Sequence, residues 1–291
     1  MNYFEYLNYF CSKFDFPSNA VEHLYNSLTK ITTCKSACLK LDGLIFDYEK
    51  SYEIDYEKNN GVIKDIAALS SVNGETVLLI AYILMSKKLK EYYSLKGYSD
   101  AMWVDAMSDL KDRLNECFAV KKIWGSDTDW FARFFDFNLF ALGRLQFNYS
   151  YLYADYNKDG ENLKKGDKVI GVHIPGGRPL DSRAVIDSFN QAEKFFKNDF
   201  DKKIPFTCKT YLFHSSMVNL YKPTSNLKWF YDLFDVYYQE DTDHILDAWR
   251  IFNCQVKDYA TLPEKTSLQK GLKTHLLNGG KMGVGVGILF R

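Results

Sequence analysis

The chain predicts an α+β protein in two parts, and three observations carry that expectation. Apolar residues recur at helical spacing up to about residue 125, strict apolar/polar alternation takes over at Arg144–Tyr153, and Lys168–Ser182 runs from an apolar strand through a Gly-Gly-Arg loop into a capped helix. With 291 residues there is enough chain for two cores. The expected domains are a helical one at 1–125 and a sheet-bearing one at 126–291.

In the first part, Pro17-Ser18 opens a helix with Val21, Leu24, Tyr25, Leu28 and Ile31 on one face. A second helix is expected near Gly61-Val62, and a third from Asn73-Gly74 to Gly97. The third carries the longest apolar run, Val77 to Met85, which falls well short of the roughly 20 residues of a membrane-spanning helix and reads as core. A fourth helix after Ser99 puts Met102, Trp103, Ala106, Met107, Leu110, Leu114 and Phe118 on one stripe, the pattern of a core face rather than of a cofactor site.

In the second part, a helical stretch at Trp130–Leu139 gives way to the alternating strand. Leu145, Phe147, Tyr149, Tyr151 and Tyr153 share its apolar face, and Arg144, Gln146, Asn148 and Ser150 its polar face. Turns at Lys158-Asp159-Gly160 and Lys165-Gly166-Asp167 lead back through a second, antiparallel strand, on which Val169, Gly171 and His173 point one way and Ile170, Val172 and Ile174 the other. Asp181 or Ser182 then caps a helix that buries Val185, Ile186, Phe189, Ala192 and Phe196.

A strand at Phe206–His214 follows, then a short helix capped by Ser225, a strand around Val236-Tyr237-Tyr238, a helix at about His244–Phe252, and a helix opened by the capping box Thr266-Ser267-Leu268-Gln269. The last segment, Met282–Phe290, carries glycine at every second position, as a strand does when another backbone packs closely on one face.

Lys plus Arg and Asp plus Glu each total 37, so no overall field draws the chain to nucleic acid or to an anionic membrane. Six scattered cysteines fit a reducing compartment better than a disulfide framework. Cys34 and Cys38 share a helix face but lack the further ligands a zinc site needs, so no metal is expected. With no secretory pattern at Met1–Tyr6, the expected location is cytoplasmic.

The Gly-Gly-Arg loop is the candidate anion site. Gly176 and Gly177 let backbone approach a ligand, Arg178 offers charge-assisted hydrogen bonds to phosphate, and a helix beginning at Ser182 directs its N-terminal N–H groups to the same place. A plain strand-to-helix turn would use the same residues. His173, beside the loop, is the first candidate base, and His214, at the next strand's end, the second. Tyr221 and Tyr231 are candidate acids. Each histidine could equally be satisfied within the sheet.

The element order of the second part resembles a GNAT-type acyltransferase. Gly143-Arg144-Leu145-Gln146-Phe147, His173-Ile174-Pro175-Gly176-Gly177 and Leu262–Gln269 further resemble segments of bacterial two-domain acyltransferase-like proteins, across essentially the whole chain. The resemblance implies a helical N-acyltransferase N-terminal domain, then a GNAT-like mixed, mainly antiparallel sheet flanked by helices. It also implies acetyl-CoA or another acyl-CoA as co-substrate, its pyrophosphate held at Gly176, Gly177, Arg178 and Ser182, and transfer to a small-molecule or peptide amine. The loop does not spell the usual GNAT pattern of Gln or Arg, two residues, Gly, one residue, then Gly or Ala. A non-catalytic module that binds a ligand or a partner is therefore the alternative.

Overall fold

The computed structural model describes residues 1–127, 129–242 and 248–291. Contacts divide the chain into two compact units, Met1–Phe140 and Ala141–Arg291.

The first unit holds six helices: α1 (Tyr3–Lys13), α2 (Ser18–Thr33), α3 (Lys35–Ser51), α4 (Tyr56–Ser70), α5 (Gly74–Leu95) and α6 (Asp100–Lys121). Helices α2, α5 and α6 start where the sequence signals place them. The Ser99 hydroxyl accepts from Met102 N, as an N-cap does. Helix α4 begins earlier than Gly61, because the Asp55 carboxylate caps Lys58 N. Helix α1, closed by an Asn2/Glu5 capping box, and α3 lie outside the sequence-based expectation.

The Val77–Met85 run is core: every residue of it but Leu78 is buried. On α6, Trp103 is fully buried and donates from Nε1 to Ser86 O at 3.1 Å. Among the described residues no single helix is long and apolar enough to cross a membrane. Residues 126, 127 and 129–139, assigned from sequence to the second part, fall in the first unit. Phe135 stacks on Tyr82 at 5.5 Å and meets Tyr48 edge-on, and Phe131 also contacts Tyr82. The expected helix there is a short 3-10 helix at Asp129–Phe134.

The second unit is built on a six-stranded sheet. Its strands are β1 (Phe140–Leu142), β2 (Leu145–Tyr151), β5 (Lys168–His173), β6 (Pro205–Thr210), β7 (Asp235–Thr242) and β8 (Met282–Phe290), while β3 (Tyr156–Lys158) and β4 (Glu161–Leu163) form a separate hairpin at Asp159-Gly160. The order is β1-β2-β5-β6-β8-β7. Neighbours pair antiparallel at β2/β5, β6/β8 and β7/β8 and parallel at β5/β6, so the sheet is mixed and mainly antiparallel. Among the described residues five helices accompany it: α7 (Ser182–Phe196), α8 (Ser215–Val218), α9 (Asn226–Asp232), α10 (Ala248–Phe252) and α11 (Ser267–Leu277). The start of the helix expected at His244 lies outside the described residues.

One sheet face packs on helices. Phe189 of α7 meets Phe147 of β2 at 5.8 Å and Phe206 of β6 at 5.3 Å, edge to face. Ile186, expected on this buried side, is exposed, and Ser188 is buried in the helix instead. The bare face of β8 is covered as its glycines require: a Cβ at Gly285 would lie 2.6 Å from Phe213 O, and one at Gly287 would lie 2.8 Å from Phe234 Cβ. The other face receives the β3/β4 hairpin at one end, where Leu152 and Tyr156 pack with Val169, Ile288 and Tyr237.

Candidate active site

The site begins where two parallel strands part. Strands β5 and β6 are in register at Ile170 with Phe206 and at Gly171 with Thr207. Beyond these positions Val172 and His173 pair with Phe147 and Gln146 of β2, whereas Cys208 to Thr210 pair with Gly287 to Gly285 of β8. Past Gly171 and Thr207 the carboxyl ends of β5 and β6 share no further ladder position, and a parting of strand ends is where open sheets bind ligands. No local sequence signal marks it, because it depends on which distant strand each end pairs with.

His173 is the last residue of β5, on the sheet face away from α7, opposite Gln146. Its Nε2 lies 2.7 Å from Asn148 Oδ1. The Asn148 amide nitrogen donates to Tyr149 O at 2.6 Å, which fixes the amide so that its oxygen faces the imidazole. An amide oxygen only accepts, so Nε2 is the donor in this contact. Alternation predicts a polar, solvated Gln146 and Asn148; both are buried, at 3% and 6% exposure. Tyr149 and Tyr151, expected on the buried face, are exposed. The inner half of β2 is covered on both faces and its outer half is not, so a period of two alone misassigns Gln146, Asn148, Tyr149 and Tyr151, and beyond the strand Arg144, which is buried, and Tyr153, which is exposed.

His214 stands on the opposite face of the same sheet. Strand β6 ends at Thr210, four residues short of the expected end, and a 3-10 turn at Tyr211–Phe213 lifts the chain over Gly285 to the start of α8. His214 Nδ1 accepts from Ser216 N at 3.3 Å and from the Ser216 hydroxyl at 2.9 Å, and Nε2 donates to Asp241 Oδ1 of β7 at 3.1 Å. Its ring lies against Gly283, where a Cβ would come within 2.7 Å. The two histidines are therefore not brought together.

Tyr231, on α9, is half-buried against Phe213, with Lys228 Nζ 5.5 Å from its ring centre. Tyr221 donates to Leu212 O at 2.8 Å, and burial, with Tyr211 adding to it, pushes its phenol far above the ordinary value. Among the described residues no three His, Cys, Asp or Glu side chains are grouped to hold a metal ion.

The loop after His173 takes a left-handed, glycine-favouring conformation at Gly177, with φ at +75°, and Arg178 N bonds back to Gly176 O at 2.9 Å. Gly177 and Arg178 are exposed, and Gly176 and Ser182 are half-buried. Asp181 is the N-cap of α7: its carboxylate accepts from Arg183 N and Ala184 N at 3.1 Å each. Two of the helix's N-terminal donors are thus already taken.

Sequence reasoning did not give Arg144 a role, yet it organises this loop. Buried at 5% exposure, it donates from Nε to Pro179 O at 2.9 Å and from Nη2 to Arg178 O at 2.5 Å. Its backbone is held in turn by Ser188 Oγ of α7, at 2.7 Å from Arg144 N. The only hint in the sequence was its place in the Gly143–Phe147 segment.

Family models match nearly the whole chain: an N-acyltransferase N-terminal domain at residues 5–137 and a GNAT-like C-terminal domain at 139–289. The protein belongs to this two-domain acyltransferase-like family. Comparison with curated proteins finds no match. Among solved structures, the chain is similar to an acyltransferase in complex with decanoyl-CoA, at TM-score 0.71 and 18% identity over 96% of this chain and 85% of that one. It is also similar to an acyltransferase mutant in complex with octanoyl-CoA, at TM-score 0.73 and 15% identity over 98% and 88%. A third, in complex with CoA and 10C-teicoplanin, gives TM-score 0.69 and 15% identity over 96% and 86%. At these identities the likeness is one of fold.

Proposed function

We propose that the protein is a cytoplasmic acyl-CoA-dependent N-acyltransferase, with Gly176, Gly177, Arg178 and Ser182 at the pyrophosphate and the thioester in the gap between β5 and β6. The observation that carries this reading is the parting of β5 from β6 with His173 and the Gly-Gly-Arg loop at the same strand end. The acyl-CoA and CoA complexes of the similar structures support the co-substrate, and the one that also holds a teicoplanin supports a small-molecule or peptide acceptor.

In this reading the acceptor amine attacks the thioester carbonyl carbon. A C–N bond forms, the C–S bond breaks, and the amine proton passes to His173 as general base while the departing CoA thiolate takes up a proton. Arg178 supplies charge-assisted hydrogen bonds to phosphate, and Arg144 holds the loop from beneath. His214, with both nitrogens engaged inside the scaffold, is given a structural role, and Tyr231 remains the candidate acid.

The second reading, a module that binds without turnover, is favoured by the Asp181 carboxylate at the helix N-terminus, since it occupies donors a pyrophosphate would use. Calorimetric titration with acetyl-, octanoyl- and decanoyl-CoA, repeated on Arg178→Ala and Gly177→Asp, tests the site. Release of free CoA thiol in the presence of an amine tests turnover. Binding weakened by both substitutions, with amine-dependent thiol release, is expected. Binding without release from any amine, or no acyl-CoA binding by the folded protein, leaves the second reading.

A further inference from the structure

We propose that a pocket inside the first unit binds a small amphiphilic amine, its ammonium held by the Asp129 carboxylate and the Tyr82 hydroxyl and its apolar part seated on the helix core beneath. Every residue that lines it belongs to Met1–Phe140, so the site does not depend on where acyl-CoA binds.

The pocket follows from two helix stripes. Helix α4 brings Asn59 and Asn60 to it one turn before Ile63, and α5 brings Ala81 and Tyr82 one turn before Met85. Two asparagines and an alanine thus stand where a close-packed helix pair places large apolar side chains, and a narrow space remains, about 320 Å³ counting its open mouth. Its floor is core, since Ile63, Ala81 and Met85 are all buried. Asn59 and Asn60 are half-buried, and Asp129 is exposed at the rim.

Two polar groups give this space its chemistry. Tyr82 is 4% exposed, and its ring is fixed by Phe135, stacked at 5.5 Å, and by Phe131 at 5.3 Å. A buried phenol ordinarily finds a hydrogen-bond partner, yet among the described residues none engages the Tyr82 hydroxyl. Burial first, and then the nearby Asp129 and Tyr56, push this phenol far above its ordinary value; both neighbours line the pocket, so the hydroxyl faces it. Tyr56 itself is engaged, donating to Asp136 Oδ2 at 2.9 Å.

Asp129 accepts a long bond, 3.4 Å, from Asn60 Nδ2, and among the described residues no cation pairs with it. Lys58 of α4 is taken by Asp47 at 2.6 Å, and Arg133 lies over the Trp130 ring at 4.3 Å. A carboxylate left without a cation at the rim attracts an ammonium and repels carboxylates and phosphates, and the phenol oxygen accepts one of the ammonium's N–H donors. An apolar floor with a few convergent polar groups is the usual make-up of a small-molecule site. A linear primary amine suits one this narrow.

The test is titration of the whole protein, its methionine methyls 13C-labelled, with n-pentylamine, n-pentanol and n-pentanoate at pH 7, where the amine is an ammonium. The Met85 methyl signal is identified by its loss in Met85→Leu. Expected are a saturable shift of that signal with pentylamine, about tenfold weaker binding of pentanol, and no binding of pentanoate. Asp129→Asn should cost the amine about tenfold and bring it level with the alcohol. Tyr82→Phe should weaken both several-fold, and Ala81→Leu should fill the space and abolish binding.

A Met85 signal that does not respond saturably to pentylamine, or that responds alike to pentanoate, overturns the proposal. So does an Asp129→Asn protein that keeps the preference for amine over alcohol. Should Ala81→Leu fail to fold, Asp129→Asn, at an exposed position, still decides.

Discussion

His173 and His214 each follow a central strand of one sheet, and each has a glycine close beneath its setting, yet the surroundings differ in kind. Gly171 makes room for a neutral amide that meets one nitrogen of His173. Gly283 makes room for the His214 ring itself, whose two nitrogens join α8 to β7 through Ser216 and Asp241. The first arrangement sets a ring beside the glycine loop, where the proposed function needs a base. The second uses a ring as a bolt between elements.

The largest expected effect divides the pair by function. His173→Ala should lower acyl transfer by about 10²–10⁴-fold with acyl-CoA affinity and melting temperature little changed. The comparison is reversed if calorimetry and melting curves show this pattern for His214→Ala instead.

Stability should divide them the other way. His214→Ala leaves the Ser216 N–H and hydroxyl without their acceptor and should cost about 1–3 kcal/mol in urea unfolding. Gly285→Ala, which sets a Cβ 2.6 Å from Phe213 O, should cost a similar amount, about 1–3 kcal/mol, by overpacking the turn that carries His214. A Gly285→Ala protein as stable as wild type would show that the turn yields and that His214 is not rigidly set.

A smaller effect concerns the ligand loop on the His173 side. Arg178→Ala should weaken acyl-CoA binding about tenfold, or about 1.4 kcal/mol, with a shallower dependence on salt. An unchanged affinity would put the phosphates elsewhere.

The smallest expected effect is one of pH. The hydrogen bond from Lys209, reinforced by Tyr238 and Tyr153, holds the Glu240 carboxyl below its ordinary value of 4.5 despite partial desolvation. A lowered folded-state value means that the contribution is fully present above pH 4.5 and is lost as pH falls through the depressed one. Melting temperature measured downward from pH 6 should therefore fall slightly more in wild type than in Glu240→Gln.

Much of the fold was legible because its signals are local. The Ser99, Asp181, Ser225 and Thr266 caps, the strands at residues 145–151, 168–173 and 282–290, and the packing role of the β8 glycines depend on near neighbours in sequence or on period. The site was legible only as ingredients. His173 and the Gly-Gly-Arg loop stand together because they are adjacent in the chain, but Arg144 reaches Arg178 and Pro179 across more than thirty residues. Asn148 read as a solvated strand residue because alternation assigns a face without saying whether that face is covered.

The sequence by itself determined the division into a helical and a sheet-bearing part, the helix starts and stops, and the strand that carries His173 to a glycine loop. Short-range sterics, capping and hydrophobic period suffice for these. Tertiary structure alone decided that β5 and β6 part beyond Gly171, that the two histidines stand on opposite faces, and that Asn148 reaches His173 and Arg144 reaches the Gly-Gly-Arg loop. Those outcomes depend on strand order and register, and pairing between segments far apart in the chain leaves no periodic trace in either of them.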